Sequence, residues 1–574
     1  MRDINNTSGQ FPSQTCLSLV TSDNASRAFA RLFFSGCFIV TLLLSSSGFA
    51  ARDAAANYSN LEKQRTLFTK AEKALKKKKY TEFSRLLGQL KTYPLFPYLK
   101  YKEYNSKLST LSQHQVEKFL QTYADTPYAD RLRVSWLLKK AKNKQWQAYL
   151  DSYEPQKSTK LQCHYLNALM QTGQSELAMQ QVPELWLVGN SQPDACDPVF
   201  NAFKKSGLLN RELKLERISL AMDKGRTSLA SYLSKSLNSQ DKRWVDEWIK
   251  IHRKPASVTQ SKLLKKSHPL KSTIQIHAVK RLSRHKPEAA INLWNTLSYD
   301  NTFSTEEQAI VYRTLGLKYA YKHHPDAWEW LDKVDDKYSD KTVQEWRVRS
   351  AIRNDNWQAI TDAINRLPEE EQKSLRWKYW LANASEHQGD PETSRAAYTE
   401  LSSTRSYYGF LAADKLDTAY DFEHIPLSIP EKQLKEMENH PGLQRAREFY
   451  YLGQTVNMRR EWHFATRKQM DNEERIIAAK VAHKWGWHNR AILTIAHTDQ
   501  RNDIELRFPV LFEDKVKEYS KKQALQPAYT YAVIRRESAF AADARSRVGA
   551  LGLMQIMPAT GKVIAKKLKV KYRN

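Results

Sequence analysis

Apolar side chains recur at helical spacing along most of this chain. Two clear stretches are Val134, Leu137, Leu138, Ala141 and Trp377, Trp380, Leu381, Ala384. Offsets of three and four residues bring such side chains to one face of a helix. Strand-like alternation is scarce and the 574 residues include only 17 glycines. The pattern therefore predicts an all-α protein built from helix pairs.

Some of these stretches repeat one another. The segment Asn143-Lys-Gln-Trp146-Gln-Ala is similar to Asn354-Asp-Asn-Trp357-Gln-Ala, and two further helical stretches run into Gly173 and Gly389. Such recurrence is typical of helical hairpins of the tetratricopeptide kind, although the period here is irregular. We expect a long α-superhelix whose aromatic residues pack between helices rather than bind a ligand.

A candidate catalytic carboxylate lies close to the end of the chain. In a helix through this region one stripe would carry Tyr529, Ala532, Val533, Glu537 and Phe540. The stripe predicts that Glu537 points inward among apolar side chains, where its carboxyl group should hold its proton more tightly than in water. A protonated acid suits glycosidic cleavage, because the leaving sugar oxygen must receive a proton.

The same residue has a purely structural interpretation. Glu537 could instead form an ion pair with Arg535, Arg536 or Arg545, and this segment alone leaves both interpretations open.

A longer motif extends from this glutamate. It comprises Glu537-Ser538, Phe540, Ala544, Ser546, Gly549-Ala550, Gly552-Leu-Met-Gln-Ile-Met-Pro558 and Thr560. The motif resembles that of the soluble lytic transglycosylases of bacterial cell-wall metabolism. The flexible backbone at Gly549 and Gly552 suits a close approach to a sugar, or equally an ordinary turn.

The resemblance implies a fold, an activity and a set of site residues. It implies a goose-lysozyme-like domain that cleaves between N-acetylmuramic acid and N-acetylglucosamine and leaves a 1,6-anhydro product. Glu537 would be the single acid and base, whereas the usual glycosidase scheme has two carboxylates. Ser546, Gln555 and Met557 would line the glycan groove, and Ser538 would support the helix end. No cofactor or metal is implied.

The resemblance also implies a domain order. An α-superhelical, U-shaped domain would cover residues 51–402, a helical linker domain 403–506, and a partial catalytic domain 507–574. Only 37 residues follow Glu537, so we expect a C-terminally truncated catalytic domain with impaired activity. The alternative from another class is a non-catalytic superhelix that binds peptidoglycan or other proteins.

The N-terminal region predicts export. Leu32–Leu44 is an apolar stretch that follows Arg27 and Arg31 and precedes small residues up to Ala50. This is the plan of a secretory signal over residues 1–50, and the stretch is short for a membrane-spanning helix, which is the weaker alternative. We therefore expect a periplasmic protein without membrane insertion after signal cleavage.

Removal of the signal leaves two cysteines, Cys163 and Cys196. In an oxidising compartment we expect them to form a disulfide, with two free buried thiols as the alternative. Neither cysteine has the spacing of a metal site, so no metal is predicted.

The chain carries a formal net charge of +29. Such a surface attracts polyanions, but an exported protein without a nucleic-acid motif is not expected to meet nucleic acid. The expected partner is the peptidoglycan glycan strand with its peptide carboxylates, bound by a monomer. Part of the excess, such as Lys76–Lys79, is equally consistent with a solvated helix face.

Overall fold

A computed structural model of the protein describes residues 60–572. Contacts divide the chain into a first unit, residues 1–70, and a second unit, residues 71–574. In the first unit the described residues, 60–70, are helical. The predicted export signal, residues 1–50, lies outside the described residues. Between residues 60 and 572 no helix has both the length and the apolar character needed to span a bilayer.

The prediction of an all-α fold is confirmed. The part of the chain that the structure describes has no β-strand and only two isolated β-bridges, both between residues 545 and 556. The helices up to residue 402 are α1 (60–76), α2 (Tyr80–Gly88), α3 (Phe96–Ser106), α4 (Gln113–Thr122), α5 (Pro127–Lys142), α6 (Trp146–Asp151), α7 (Thr159–Gln171), α8 (Ser175–Trp186), α9 (Asp197–Lys205), α10 (Arg211–Asp223), α11 (Thr227–Ser234), α12 (Ser239–Arg253), α13 (Lys271–Leu282), α14 (Pro287–Asp300), α15 (Thr305–Tyr321), α16 (Ala327–Asp332), α17 (Lys341–Arg353), α18 (Trp357–Asn365), α19 (Glu369–Gln372), α20 (Leu375–His387) and α21 (Pro391–Ser402).

Ten more helices follow in the C-terminal part. They are α22 (Tyr407–Leu416), α23 (Glu431–Glu438), α24 (Pro441–Tyr451), α25 (Thr455–Phe464), α26 (Asn472–Lys484), α27 (His488–Ile495), α28 (Ile504–Arg507), α29 (Glu513–Lys522), α30 (Pro527–Ser538) and α31 (Pro558–Lys567). A π-helical turn, Ala465–Gln469, extends α25. Short 3₁₀ helices cover Asp194–Cys196, Pro255–Gln260, Leu263–Lys265 and Asp336–Tyr338.

The recurring segments of the sequence fold into the same helix-turn-helix unit. Helix α5 ends at Lys142, Asn143 caps it and α6 begins at Trp146; the corresponding turn joins α17 to α18. Lys144 and Asp355 occupy equivalent left-handed positions, with φ of 57° and 49°. The predicted glycine turns also form, since Gly173 (φ 85°) separates α7 from α8 and Gly389 (φ 87°) separates α20 from α21.

Helices of successive hairpins bury a series of apolar clusters along the superhelix. The largest cluster of buried residues runs from Cys163 to Val343 and includes Trp244, Trp248 and Trp294. These indole rings are at most 2 % exposed, so they fill the space between helices as predicted. The two cysteines of this cluster, Cys163 and Cys196, are joined by a disulfide.

The helices near the N-terminal end of the second unit contact α24 and α25. Tyr93 donates through its hydroxyl group to Glu448 at 2.8 Å, and the ring of Tyr98 packs edge-on against Phe449 at 4.5 Å between centroids. These contacts join residues more than 350 positions apart in the sequence. The superhelix therefore returns on itself through side chains of α24 and α25.

A buried ionic network lies at the centre of this contact. Arg445 donates to the Asp125 carboxylate and to the Asp125 carbonyl oxygen, both at 2.7 Å, and its Nε donates to Glu461. Tyr98 donates to the second oxygen of Glu461, whose side chain has no exposed surface. Burial raises the pKa of Glu461 to about 9, and Arg445 and Tyr98 each donate to one of its two oxygens, so both oxygens have a partner inside the protein.

Candidate functional site

Glu537 is the penultimate residue of α30. This helix begins with Pro527 at its first position, where the missing N–H costs nothing, and ends where Ala539 adopts a left-handed conformation with φ of 48°. Phe540 is also left-handed, with φ of 67°. Two consecutive residues other than glycine in this region are uncommon, so the turn after Glu537 must be held by contacts with the rest of the protein.

The predicted inward orientation of Glu537 is wrong. Ile534 and Ser538 are the buried residues of α30, whereas Glu537 is exposed and Tyr529 is 64 % exposed. Successive residues of a helix differ by about 100°, so Glu537 lies one such step from Ser538 and off the packed face. Phe540 lies beyond the helix end and therefore does not continue its stripe.

The arginines proposed as partners of Glu537 are occupied elsewhere or exposed. Arg535 donates through Nε to the carbonyl oxygen of Arg507 at 2.8 Å and lies 5.3 Å from the ring of Phe508. Arg536 and Arg545 are exposed. The structural ion pair considered from the sequence is thus not formed within the described residues, and the carboxylate of Glu537 faces solvent.

Residues of other helices hold the buried face of α30. Ile534 belongs to a small apolar cluster with Ile492 of α27, Val516 of α29 and the ring of Phe540, which folds back under the helix. Ser538 donates through its hydroxyl group to the carbonyl oxygen of Ile534 at 3.2 Å. The supporting role expected of Ser538 at the helix end is consistent with this bond.

Asn489 of α27 secures the C-terminal end of α30. Its Nδ2 donates to the carbonyl oxygens of Ser538 at 2.9 Å and Ala539 at 3.2 Å. Carbonyl groups at a helix end have no partner within the helix, so this side chain supplies one. Asn489 is oriented in turn by Arg490, whose Nε donates to Asn489 Oδ1 at 3.0 Å. Burial lowers the pKa of Arg490 to about 10, and neighbouring Arg459 contributes to the shift.

The loop after α30 is fixed by a second contact with the preceding helices. Arg459 of α25 forms an ion pair with Asp543. Both residues line a cavity of about 510 Å³, whose other walls include Tyr450, Trp487 and Phe512. The segment that follows Glu537 is therefore attached to α25 through Asp543 and to α27 through the carbonyl groups of Ser538 and Ala539.

Ser546 and Gln555 lie in one compact loop. Two hydrogen bonds join Ser546 to Ala550. Ala550 N–H donates to Ser546 Oγ at 2.9 Å, and Ser546 N–H donates to Ala550 O at 2.9 Å. Gln555 Nε2 donates to the carbonyl oxygens of Ala544 at 3.2 Å and Gly552 at 2.9 Å. Both amide hydrogens of Gln555 are thereby used, and its Oε1 remains as an acceptor.

The glycines of this loop serve its turns. Gly549 and Gly552 have φ of 94° and 76°, a region that other residues rarely adopt. Gly552 N–H donates to Ala544 O at 2.9 Å, which closes the loop. Met557 then precedes α31 with its side chain 42 % exposed. Within the described residues, hydrogen bonds connect Gln555 to the loop of Ser546 but do not connect these residues to the Glu537 carboxylate.

The described residues contain no group of three or more histidine, cysteine, aspartate or glutamate side chains that could hold a metal ion.

Comparisons with known proteins identify two segments of the chain. Residues 436–504 match the family model described as the soluble lytic murein transglycosylase L domain, and residues 514–574 match the transglycosylase SLT domain. The structure is similar to that of an inactive mutant of the lytic transglycosylase Slt from Pseudomonas aeruginosa, with a TM-score of 0.82 and 32% sequence identity. That match covers 88% of this chain and 83% of the other. This chain belongs to the soluble lytic transglycosylase family.

Two further comparisons agree with this assignment. The soluble lytic murein transglycosylase of Escherichia coli strain K12 is 26% identical over 512 residues, which cover 88% of this chain and 78% of that protein. The crystal structure of the 70 kDa soluble lytic transglycosylase Slt70 from Escherichia coli has a TM-score of 0.76 at 25% identity and covers 90% of this chain and 83% of the other. The superhelix is thus shared with solved transglycosylases.

The sequence of this lytic transglycosylase did not indicate the residues that hold α30. Asn489, Arg490 and Arg459 lie in the segment that matches the L domain, while the helix they support lies in the SLT domain. A short polar residue early in a helix carries no signal of a contact with a carbonyl group about 50 positions later. Only the packing of α27 against α30 reveals the contact.

Proposed function

We propose that this protein is a periplasmic lytic transglycosylase that cleaves the β-1,4 bond between N-acetylmuramic acid and N-acetylglucosamine in peptidoglycan. The observation that carries the proposal is the exposed carboxylate of Glu537, on the last turn of a helix whose packed face and C-terminal end are anchored. An anchored but accessible acid is what a polymeric substrate requires. The inactive relative carries glutamine in place of one glutamate, which supports an essential role for a glutamate in this family.

Glu537 would act first as an acid and then as a base. In its protonated form it gives its proton to the glycosidic oxygen as the bond to C1 of the muramic acid breaks. The resulting carboxylate takes the proton of the 6-hydroxyl group of the same sugar, whose oxygen forms the new bond to C1. Glu537 thus regains the proton that it gave, and the reaction consumes no water.

The glycan itself would supply the low-polarity surroundings that the free protein lacks. Glu537 is exposed, but a strand lying over it excludes water from the carboxyl group. Water that is excluded from the site cannot compete with the 6-hydroxyl group for C1.

Three residues of the loop after α30 would bind the sugar rings. Gln555 offers its Oε1 to an acetamido N–H, because its two amide hydrogens are already donated to backbone carbonyls. Ser546 accepts a bond from Ala550 and keeps its own O–H for a sugar oxygen. Met557 presents an exposed thioether to the apolar face of a ring.

The remaining segments would serve this site. We propose an export signal over residues 1–50, the superhelix over 51–402, a linker domain over 403–506 and the catalytic segment over 507–574. Export agrees with the buried Cys163–Cys196 disulfide, since disulfides persist in oxidising compartments. The net charge of +29 favours contact with the carboxylates of peptidoglycan stems, and the protein would work as a monomer.

The assay uses purified sacculi. Incubation with the protein should release muropeptides that end in anhydro-muramic acid, detected by chromatography and mass spectrometry. Glu537→Gln should abolish the release, whereas Glu518→Gln, at an exposed position of α29, should leave it unchanged. Sacculi that bind the protein but stay intact would instead indicate a non-catalytic superhelical scaffold.

A further inference from the structure

A cleft of about 660 Å³ opens along the superhelix between α6, α7 and α8. Its walls come from residues 147–185, and none of them belongs to the segment that carries Glu537. A space of this size accommodates a ligand of about two or three sugar rings. The cleft has no role in the proposed reaction.

Amide side chains dominate the polar lining of the cleft. Five glutamine side chains line it: Gln147, Gln156, Gln162, Gln174 and Gln181. The amide nitrogen of each already donates to a protein acceptor, for example Gln147 to Asp151 at 2.8 Å and Gln162 to the carbonyl oxygen of Gln156 at 2.8 Å. Each amide oxygen is left to accept a bond and each amide keeps one N–H to donate, so the cleft suits an uncharged ligand rich in hydroxyl and acetamido groups.

The charge of the lining differs from that of the whole protein. Asp151 and Glu184 line the cleft, and no lysine, arginine or histidine does. The chain as a whole has a formal net charge of +29. Two carboxylates without a lining cation disfavour an anionic ligand, so the acidic peptide stems do not fit here. An uncharged ligand does fit.

Apolar surface faces these acceptors. The rings of Tyr153 and Tyr165 stack in parallel, with centroids 4.2 Å apart and an angle of 11° between their planes. Leu177, 43 % exposed, lies on the same cleft. Aromatic and aliphatic surface beside several acceptors matches a pyranose ring, which has C–H groups on its faces and hydroxyl groups around its edge.

We propose that this cleft binds an uncharged stretch of N-acetylhexosamine glycan, as a second glycan-binding site of the protein. The superhelix would thereby hold one part of a strand while another part lies at Glu537. The identity of the sugar rests on the proposed function, but the binding itself requires no cleavage. Glycan binding at the cleft and catalysis at Glu537 can therefore fail independently.

Hydrogen–deuterium exchange tests the proposal with the β-1,4-linked trimer of N-acetylglucosamine as the probe. The trimer should slow exchange in residues 147–185 of the full chain, and equally in the Glu537→Gln variant. Leu177→Arg places a long charged side chain in the cleft. The trimer concentration needed for half-maximal protection should therefore rise about tenfold. The matched control is Ile310→Arg, at a 38 % exposed position of α15 outside the cleft, which should retain the protection.

A second variant tests the cleft if Leu177→Arg fails to fold. Glu184→Ala removes an exposed acceptor at a surface position and should also weaken the protection. Absence of protection in residues 147–185 at millimolar trimer would overturn the proposal, whatever occurs at residues 537–560. Protection by lysyl-alanine instead of the trimer would assign the cleft to an ammonium-bearing peptide and would equally reject the glycan. Loss of sacculus cleavage with cleft protection intact would reject only the proposed function.

Discussion

Asn489 donates to the carbonyl oxygen of Ser538 at 2.9 Å and thereby connects α27 to the residue that follows Glu537. The same amide also reaches Ala539 at 3.2 Å. Because Ala539 and Phe540 are both in left-handed conformations, the helix end is a strained turn that this contact helps to maintain. The orientation of Glu537 thus depends on a side chain of the segment that precedes the catalytic domain.

Replacing Asn489 by alanine should reduce the turnover rate more than substrate binding. The variant loses two hydrogen bonds to helix-end carbonyls, which costs stability of about 1 to 2 kcal/mol. A displaced acid should lower kcat by roughly tenfold to a hundredfold. Kinetics on soluble muropeptide chains would measure kcat and KM separately.

A matched substitution separates positioning from stability. Asn301 donates through Nδ2 to the carbonyl oxygen of Leu297 at 3.0 Å, at the end of α14. Asn301→Ala removes the same kind of bond and should leave kcat unchanged. Equal losses of kcat in both variants would show that Asn489 acts only through stability.

Breaking the Arg445 network should destabilise the closed superhelix. Arg445→Ala leaves Glu461, which has no exposed surface, without its guanidinium, and removal of one partner of a buried pair costs about 3 to 5 kcal/mol. The control is Arg313→Ala, because the pair of Arg313 with Asp340 is 40 % and 48 % exposed and should contribute about 1 kcal/mol or less. Calorimetric unfolding should show a markedly lower Tm only for Arg445→Ala, and equal shifts would contradict the role of burial.

The His252–His277 pair predicts acid sensitivity. Nδ1 of His252 and Nε2 of His277 are 2.9 Å apart, and both side chains are buried. Burial, followed by the neighbouring His252, lowers the pKa of His277 to about 3. Because the folded state holds this proton less tightly than the unfolded chain, stability is complete above about pH 6.5 and falls as the pH drops from there towards 3.

The slope of this loss is measurable. One such histidine reduces the free energy of unfolding by about 1.4 kcal/mol per pH unit within that window. His277→Gln should flatten the dependence of denaturation on pH between 6.5 and 4, whereas substitution of the exposed His285 should not. An unchanged slope in His277→Gln would contradict the assignment.

Reduction of the Cys163–Cys196 disulfide should destabilise the superhelix. The bond closes a loop of 33 residues within the largest buried cluster. On the chain-entropy estimate it contributes about 3 to 4 kcal/mol. The double variant Cys163→Ser, Cys196→Ser should unfold at a lower temperature than the wild type and should no longer respond to a thiol reductant. A wild-type Tm that is insensitive to reductant would contradict this contribution.

Local features of the sequence predicted much of the superhelix. The turn after Asn143 recurs after Asn354 because it needs only a helix-ending asparagine, one left-handed residue and a helix start at tryptophan. Gly173 and Gly389 mark their turns for a similarly local reason. Such signals lie within a few residues of one another and are visible in the chain itself.

The orientation of α30 could not be predicted in the same way. Apolar residues occur on both of its faces, and the packed face is chosen by Ile492 and Val516, which come from other helices. The helix ends before Ala539, a residue type that does not predict a left-handed turn. Periodicity therefore located the helix of Glu537 but assigned the carboxylate to the wrong side.

The most direct test of the account is the origin of the new bond at C1 of the muramic acid. Sacculi digested by the protein in ¹⁸O-labelled water should yield unlabelled products that end in 1,6-anhydro-muramic acid, and Glu537→Gln should yield none. Products with a labelled reducing end would show that water attacks the sugar, and unchanged release by Glu537→Gln would show that another group provides the acid.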